Sequence, residues 1–216
     1  FAYLCPHWNL KLKKGTVLPV ICYTNCEDAE LFVNGRSFGM KSKGFPCYGM
    51  TERYGHFDRY RRPANTDDLF LSWDVPYEPG KIEVVGYHDG KEVCRYNVET
   101  TGEAAAIKLT VDKTSVDADG RSVVQAEVRI LDSEGHLVFD ACPELNFTLE
   151  GDGEIIGIDN GDPACHEQWK ETKGRHAFNG MAYAVIRAGQ NKGELKLTVT
   201  SSDNTLTNAS VTIQVG

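Results

Sequence analysis

The sequence predicts an all-β protein made of two consecutive immunoglobulin-like antiparallel β-sandwich domains. Three observations support this fold class. Many short segments alternate apolar and polar residues with a period of two, turn signals rich in Gly, Asn and Asp separate them, and no segment shows a convincing helical period. Period-two alternation over several short segments indicates antiparallel sheets with one face in contact with water.

Two hairpins are predicted in the first half of the chain. The segment AELFVNGRSFG turns at Asn34-Gly35, and the segment GKIEVVGYHDGKEV turns at Asp89-Gly90. Both dipeptides accept the positive φ angles that a two-residue turn requires. Between the hairpins, residues 41–67 show no period and are rich in Gly, Pro, Phe and Tyr. A loop of this length is usually functional or disordered, and its aromatic content leads us to expect that it packs against a neighbour.

A short linker separates two groups of predicted strands. The stretch TTGEAAA, near residues 101–105, is small and polar, as domain linkers commonly are. We therefore assign residues 1–102 to a first β-sandwich and residues 103–216 to a second immunoglobulin-like β-sandwich.

The second group of strands contains the clearest alternation. QAEVRI turns Ala126, Val128 and Ile130 to one face, and the segments ELKLTVT and SVTIQV repeat the pattern. Between these strands, DNGDP predicts a turn rather than a calcium site. Its oxygen-bearing residues lack the rest of a calcium-binding loop, and Gly and Pro are typical of turns.

Composition and charge exclude several classes of partner. The net charge is −8 at pH 7, which disfavours binding to the phosphate backbone of a nucleic acid. No apolar run approaches the ~20 residues of a membrane-spanning helix. The seven cysteines form no CxxC pair, and we expect them to be mainly free and buried.

No motif for chemistry is found in the sequence. HExxH, GxSxG and phosphate-loop patterns are absent. The carboxylates lie mainly in polar turns, where they stay solvated, whereas a glycosidase needs a carboxyl group of raised pKa. We predict no catalytic residue, no metal site and no cofactor.

Aromatic side chains are the remaining candidates for ligand binding, because a flat ring can stack on a sugar. We expect Trp8 and Trp169 to be partly exposed, and packing is nevertheless the favoured role for each of them. The candidates for carbohydrate binding are Trp8, Trp169, Tyr54 and Tyr60.

Several longer stretches resemble a known family. PHWN, PVICYTNCEDAELFVNGRSFG and WDVPYEPGKIEVVGYHDGKEV resemble the domain that follows the catalytic barrel in glycoside hydrolase family 2, especially in bacterial β-galactosidases. The stretches GEIIGIDNGDPACHEQWK and RHAFNGMAYAVIR are similar to the next domain of the same enzymes. The resemblance covers the chain apart from residues 41–67, where the loop looks longer than in the family.

The resemblance implies a larger parent hydrolase that acts on β-galactosides or related β-glycosides, exported to the periplasm or the cell surface. The acid/base glutamate of the family follows an Asn, and this chain contains no Asn-Glu dipeptide. Neither catalytic glutamate is therefore transferred, and by itself the chain is expected to have no catalytic activity.

Three functions remain open from the sequence. The first is an accessory region that supports its own catalytic barrel or builds a homo-oligomer. The second is a module that binds β-linked oligosaccharides, in which alanine at a true platform residue abolishes binding without unfolding. The third is an adhesin-like pair of immunoglobulin-type domains, which the sequence upstream would reveal as tandem sandwiches instead of a barrel.

Overall fold

The structure is a computed structural model that describes residues 1–42, 70–168, 170 and 174–216. Within these residues all regular secondary structure is β-strand, which confirms the predicted all-β class. The chain divides into two compact units, Phe1–Thr100 and Thr101–Gly216. No helix in the described ranges is long and apolar enough to cross a bilayer.

The first unit contains two antiparallel sheets. One has the strand order β1-β2-β5 and the other β4-β3-β6-β7. Their strands are β1 (Ala2–Cys5), β2 (Val17–Thr24), β3 (Asp28–Val33), β4 (Arg36–Ser42), β5 (Phe70–Pro76), β6 (Lys81–His88) and β7 (Lys91–Glu99).

Both predicted hairpins are present in this unit. Asn34 and Gly35 have φ angles of 49° and 79° between β3 and β4, and Asp89 and Gly90 have φ angles of 49° and 71° between β6 and β7. Positive φ at both central residues matches the right-handed twist of the flanking strands. The local sequence alone therefore determines these two turns.

The core of the first unit lies between its two sheets. Successive side chains of a strand point to opposite faces, so each sheet buries every second residue. Burying one aliphatic side chain of this size stabilises a fold by about 1.5–3 kcal/mol. The buried residues are Leu4, Val20, Cys22, Leu71, Trp73 and Val75 from the first sheet and Ala29, Leu31, Val33, Ile82, Val84 and Val98 from the second.

The second unit also contains two sheets, of order β12-β14-β10-β8 and β13-β11-β15-β16-β9. The short strand β9 runs parallel to β16, and the other paired strands of this unit are antiparallel. The strands are β8 (Ala106–Val111), β9 (Ser115–Val116), β10 (Val123–Leu131), β11 (Glu144–Glu150), β12 (Gly153–Asp159), β13 (Gly174–His176), β14 (Met181–Ala188), β15 (Gly193–Ser201) and β16 (Ala209–Val215).

The predicted alternation of the second unit is confirmed strand by strand. Ala126, Val128 and Ile130 of β10 are fully buried, and the polar residues between them face outward. Strands β15 and β16 bury Leu195, Leu197, Val199 and Ile213 in the same core, with Val211 packed at its margin.

Candidate interaction face

The outer surface of the β1-β2-β5 sheet carries several exposed aromatic and aliphatic residues. Strand register places Tyr3 beside Tyr23, and Tyr23 beside Phe70. The ring of Tyr3 lies 5.3 Å from the ring of Tyr96 on β7. The rings of Tyr23 and Phe70 meet edge to face, with 5.9 Å between their centroids. The next row along the strands contains Cys5, Ile21 and Ser72.

Much of this outer surface is apolar, although Ser72 and the exposed Asp74 of β5 lie on it beside Ile21 and Pro19. Along β2 the outward positions are Val17, Pro19, Ile21 and Tyr23. Val17 is 64% exposed, Tyr3 49% and Tyr23 44%. An antiparallel sheet with one face in water usually alternates apolar and polar residues. We call the outward residues Tyr3, Val17, Pro19, Ile21, Tyr23 and Phe70 the β2 face.

The opposite sheet of the same unit shows what an ordinary solvated surface looks like. Its outer side contains Glu83, whose carboxylate forms salt bridges with Lys81 Nζ at 2.9 Å and Arg95 Nη1 at 2.7 Å. Arg95 Nη2 forms a further salt bridge with Glu92 Oε2 at 3.0 Å. The hydrogen bond from Lys81 is the main cause of a lowered pKa of Glu83, and Arg95 lowers it further. This sheet also exposes Met40 at 53% and Val93 at 56%. The β2 face differs in its aromatic residues, and it is suited to contact with another protein surface.

Trp8 lies inside the first unit, and the expectation that it is partly exposed is wrong. Its side chain is fully buried. The indole N–H donates to the carbonyl of Glu78 at 2.7 Å, and the ring lies 5.2 Å from the ring of Tyr77. The hydroxyl groups of Tyr77 and Thr100 both donate to the carbonyl of Trp8, at 3.3 and 3.2 Å. In this position Trp8 has no free face to stack on a sugar.

The other sugar-binding candidates, Tyr54, Tyr60 and Trp169, lie outside the described residues. Their role as a carbohydrate platform therefore stays a prediction.

The DNGDP segment of the second unit forms a turn that is closed by its own side chains. Asp159 Oδ1 accepts the N–H groups of Asn160 and Gly161, at 2.7 and 3.0 Å. Asn160 Oδ1 accepts the N–H of Asp162 at 3.0 Å, and Asp162 Oδ1 accepts the N–H of Ala164 at 2.9 Å. Such bonds are typical of Asx turns. The N–H groups of Gly161 and Asn160 lower the pKa of Asp159.

A buried arginine fixes the segment that follows this turn, and the sequence analysis did not identify it. Arg175 is 3% exposed. Its Nε donates to the carbonyl of Ile158 at 3.1 Å, and both terminal nitrogens donate to the carbonyl of Glu167, at 3.0 and 3.1 Å. His176 Nδ1 lies 2.6 Å from Glu167 Oε1. The signal that could have identified it is an arginine at an inward position of a strand, since a buried charge requires hydrogen-bonding partners.

One group of side chains in the described ranges has metal-ligand geometry. Glu27, His88 and Asp89 place ligand atoms within 4.8 Å of one another, and all three residues are exposed. The carboxylate of Glu27 already accepts the N–H of Asp89 at 3.1 Å. The contact joins the β2–β3 connection to the β6–β7 turn, which is a sufficient structural reason for the cluster.

The described carboxyl groups whose pKa is shifted are poor candidates for general acids. A glycosidase needs one carboxyl group whose pKa is raised, so that it keeps its proton near neutral pH. Wherever the surroundings shift the pKa of a described carboxyl group, hydrogen-bond donors outweigh desolvation and the pKa is lowered. The groups affected are Glu78, Glu83, Asp119, Asp132, Asp152, Asp159, Glu167 and Asp203.

Comparison with known families gives matches in both units. A family described as glycoside hydrolase family 2 C-terminal domain 5 matches residues 107–212. A second family, described as Domain of unknown function (DUF4982), matches residues 15–94.

Similar proteins are glycosidases by name. The chain is 36% identical over 200 residues to beta-galactosidase BoGH2A of Bacteroides ovatus, which is 92% of this chain and 21% of that protein. It is 28% identical to a putative beta-glucuronidase of Formosa agariphila over 86% of this chain and 16% of that protein. The chain thus spans about a fifth of the length of these two relatives.

Solved structures give the same result. A beta-glycosidase from Bacteroides vulgatus superposes with a TM-score of 0.81 at 30% identity, over 99% of this chain and 24% of that one. A glycosyl hydrolase family 2 member from Bacteroides cellulosilyticus superposes with a TM-score of 0.79 at 30% identity, over 97% of this chain and 24% of that one.

Proposed function

This chain belongs to glycoside hydrolase family 2, as C-terminal non-catalytic β-sandwich domains, and we propose that it supports a catalytic domain in the same polypeptide. The observation that supports this role is the apolar β2 face. Half-exposed Tyr3 and Tyr23 lie side by side, and two-thirds-exposed Val17 lies at the other end of β2, on a sheet whose alternate residues already fill a core. A surface of this kind loses unfavourable contact with water when a second domain covers it.

The size of the β2 face fits an interface between domains. A fully buried Tyr or Phe removes about 150–250 Å² from water, so the exposed parts of its residues together amount to a few hundred Å². Interfaces between domains of one chain bury about 600–1,500 Å² over both partners. The face is therefore large enough to form the centre of such a contact, with polar residues at its rim.

We propose that the parent enzyme hydrolyses terminal β-galactosides. The name of the relative with 36% identity, a beta-galactosidase, supports this substrate. A putative beta-glucuronidase at 28% identity makes β-glucuronides the nearest alternative. Hydrolysis of p-nitrophenyl β-galactoside and β-glucuronide by the full-length polypeptide separates the two. Export to the periplasm or the cell surface stays a prediction, which fractionation of cells expressing the parent gene tests.

A substitution on the β2 face tests the support role. In the full-length polypeptide, Ile21→Asp combined with Tyr23→Asp introduces two charges on the face. We expect faster thermal inactivation of glycosidase activity, because the charges must be desolvated at the contact. The chain of 216 residues with the same changes keeps most of its thermal stability, since both side chains point away from the core.

A matched control comes from the other sheet of the same unit. Val93 on β7 is 56% exposed, so Val93→Asp adds a charge to an exposed strand residue outside the β2 face. Equal inactivation rates for the Val93 variant and the double variant would contradict the proposed contact. Concentration-dependent association of the 216-residue chain through the β2 face would instead assign this face to a homo-oligomer.

The sequence also suggested a module for β-linked oligosaccharides and an adhesin-like pair of domains. The similarity to glycosidases supports the accessory role over the adhesin. Oligosaccharide binding stays a prediction that depends on Tyr54, Tyr60 and Trp169. Calorimetric titration with galactose, lactose and β-linked oligosaccharides tests it, with saturable heat expected only if those residues form a platform.

A further inference from the structure

Two thiols of the first unit lie close enough to react with each other. Cys26 precedes β3, Cys94 lies on β7, and their Sγ atoms are 3.4 Å apart although 68 positions separate them in the sequence. None of the six cysteines in the described ranges forms a disulfide bond in this structure. A thiol is only a weak hydrogen-bond donor and a weak acceptor, so the pair gains little from a hydrogen bond between the two sulfurs.

A glycine on the strand between them makes the room for this pair. Strand register pairs Gly86 of β6 with Cys94 of β7. A Cβ atom at Gly86 would lie 2.6 Å from the sulfur of Cys26 and 2.7 Å from the sulfur of Cys94. Both sulfurs therefore occupy the space that a side chain at position 86 would fill. Any larger residue would force them apart.

We propose that Cys26 and Cys94 form a disulfide bond when the protein meets a low-molecular-weight disulfide such as oxidised glutathione. Cys26 is 4% exposed, whereas Cys94 is partly accessible, so Cys94 meets the oxidant first. Its thiolate attacks the small disulfide, a mixed disulfide forms on Cys94, and one small thiol leaves. The Cys26 thiolate then attacks the Cys94 sulfur and displaces the second small thiol.

The exchange is balanced in atoms and electrons. Two protein thiols lose two protons and two electrons, one small disulfide gains them, and one protein S–S bond replaces the S–S bond of the oxidant. Burial, and then the neighbouring Cys26, raises the pKa of the Cys94 thiol. The attacking species is the thiolate, so the reaction accelerates as the pH rises from 7 to 9.

The bond would constrain the first unit over most of its length. It connects the segment between β2 and β3 to the edge strand β7 and closes a loop that includes β3 to β6. Closing a long loop in the unfolded chain lowers its conformational entropy and stabilises the folded state. We expect the unfolding midpoint of the first unit to rise by about 10 °C or more on oxidation.

Peptide mapping of the folded 216-residue chain tests the proposal directly. The chain is treated with oxidised glutathione at pH 8.5, alkylated and digested with trypsin and chymotrypsin without reduction. Trypsin releases Cys94 in the peptide EVCR, and chymotryptic cleavage after Tyr23 separates Cys26 from Cys22. The expected product is EVCR linked to the Cys26 peptide, together with a midpoint increase that dithiothreitol reverses.

Variants distinguish this bond from other oxidation. Cys26→Ser and Cys94→Ser each remove the linked peptide and the increase in midpoint. Cys142→Ser, at an exposed cysteine of the second unit, leaves both unchanged. Free Cys26 and Cys94 after treatment of the folded chain, or their linkage to other cysteines instead, would overturn the proposal. So would linkage that forms only when denaturant is present.

Discussion

Replacement of Trp8 measures how firmly the segment before β2 is attached to the first unit. The change Trp8→Ala removes a fully buried indole, its hydrogen bond to Glu78 and its contact with Tyr77. Large-to-small changes of buried aromatic residues cost about 3–5 kcal/mol. For a unit of this size that corresponds to a fall in the unfolding midpoint of about 12 °C or more.

A milder variant separates packing from hydrogen bonding. Trp8→Phe keeps an aromatic ring beside Tyr77 but leaves the carbonyl of Glu78 without its indole donor. We expect a loss of about 1–3 kcal/mol, because an unpaired buried polar group costs that much. Differential scanning calorimetry of the 216-residue chain is the assay, and the transition of the second unit is the internal reference.

The exposed Tyr23 supplies the control for this series, since it lies in the same unit and is 44% exposed. Tyr23→Ala should lower the midpoint far less than Trp8→Ala. Near-equal effects of Trp8→Ala and Tyr23→Ala would refute the reasoning, because Trp8 would then behave as a surface residue. Unchanged calorimetric stability with a loss of sugar binding would return Trp8 to the role of a carbohydrate platform.

Three further predictions concern single residues. Arg175→Met should destabilise the second unit by about 2–4 kcal/mol in urea unfolding, because it leaves buried carbonyls unpaired, and Arg175→Lys should recover only part of the loss. Gly86→Ala should destabilise the first unit by about 1–3 kcal/mol through overpacking, and Cys94→Ala in the same chain should relieve part of this loss. The pKa of Asp159 is lowered from 3.8 in the folded state, so its contribution to stability is present above that value and is lost as the pH falls through the folded pKa. Asp159→Asn should therefore weaken the acid sensitivity of the second unit below about pH 4, and an unchanged acid profile would contradict this.

The features that the sequence predicted well are those determined by neighbouring residues. Asn34-Gly35 and Asp89-Gly90 specify their turns through backbone preferences of two residues each. Ala126, Val128 and Ile130 of β10 alternate with polar residues, so their inward direction follows from the sequence. Each of these predictions needed no knowledge of what lies across the core.

Features that depend on distant residues were missed. Trp8 is buried by Glu78, Tyr77 and Thr100, which lie about 70 to 90 positions away in the sequence. Aromatic residues near a chain end carry no local signal for such contacts. Arg175 was missed for the same reason. A charged residue is rarely buried without a partner, and the partners of Arg175 cannot be identified from the sequence near it.

Strand β2 shows why the interaction face was also invisible to periodicity. Its inward residues Val20 and Cys22 and its outward residues Ile21 and Tyr23 are all apolar or aromatic. Alternation can assign faces only when one face is polar, and here both sides of the strand favour burial. A strand apolar on both faces predicts two buried surfaces. The core of the first unit accounts for one of them, and the proposed contact with a catalytic domain accounts for the other.

The lowered pKa values of two carboxyl groups in the second unit support a structural role for these groups. Asp159 and Glu167 each accept several hydrogen bonds, and these bonds lower both pKa values. A carboxylate stabilised in this way stays ionised near neutral pH and cannot donate a proton to a departing sugar oxygen. Its negative charge instead holds backbone N–H groups and the His176 ring in place. The carboxylates of Asp159 and Glu167 therefore have a structural role, in which they orient the described residues that they contact.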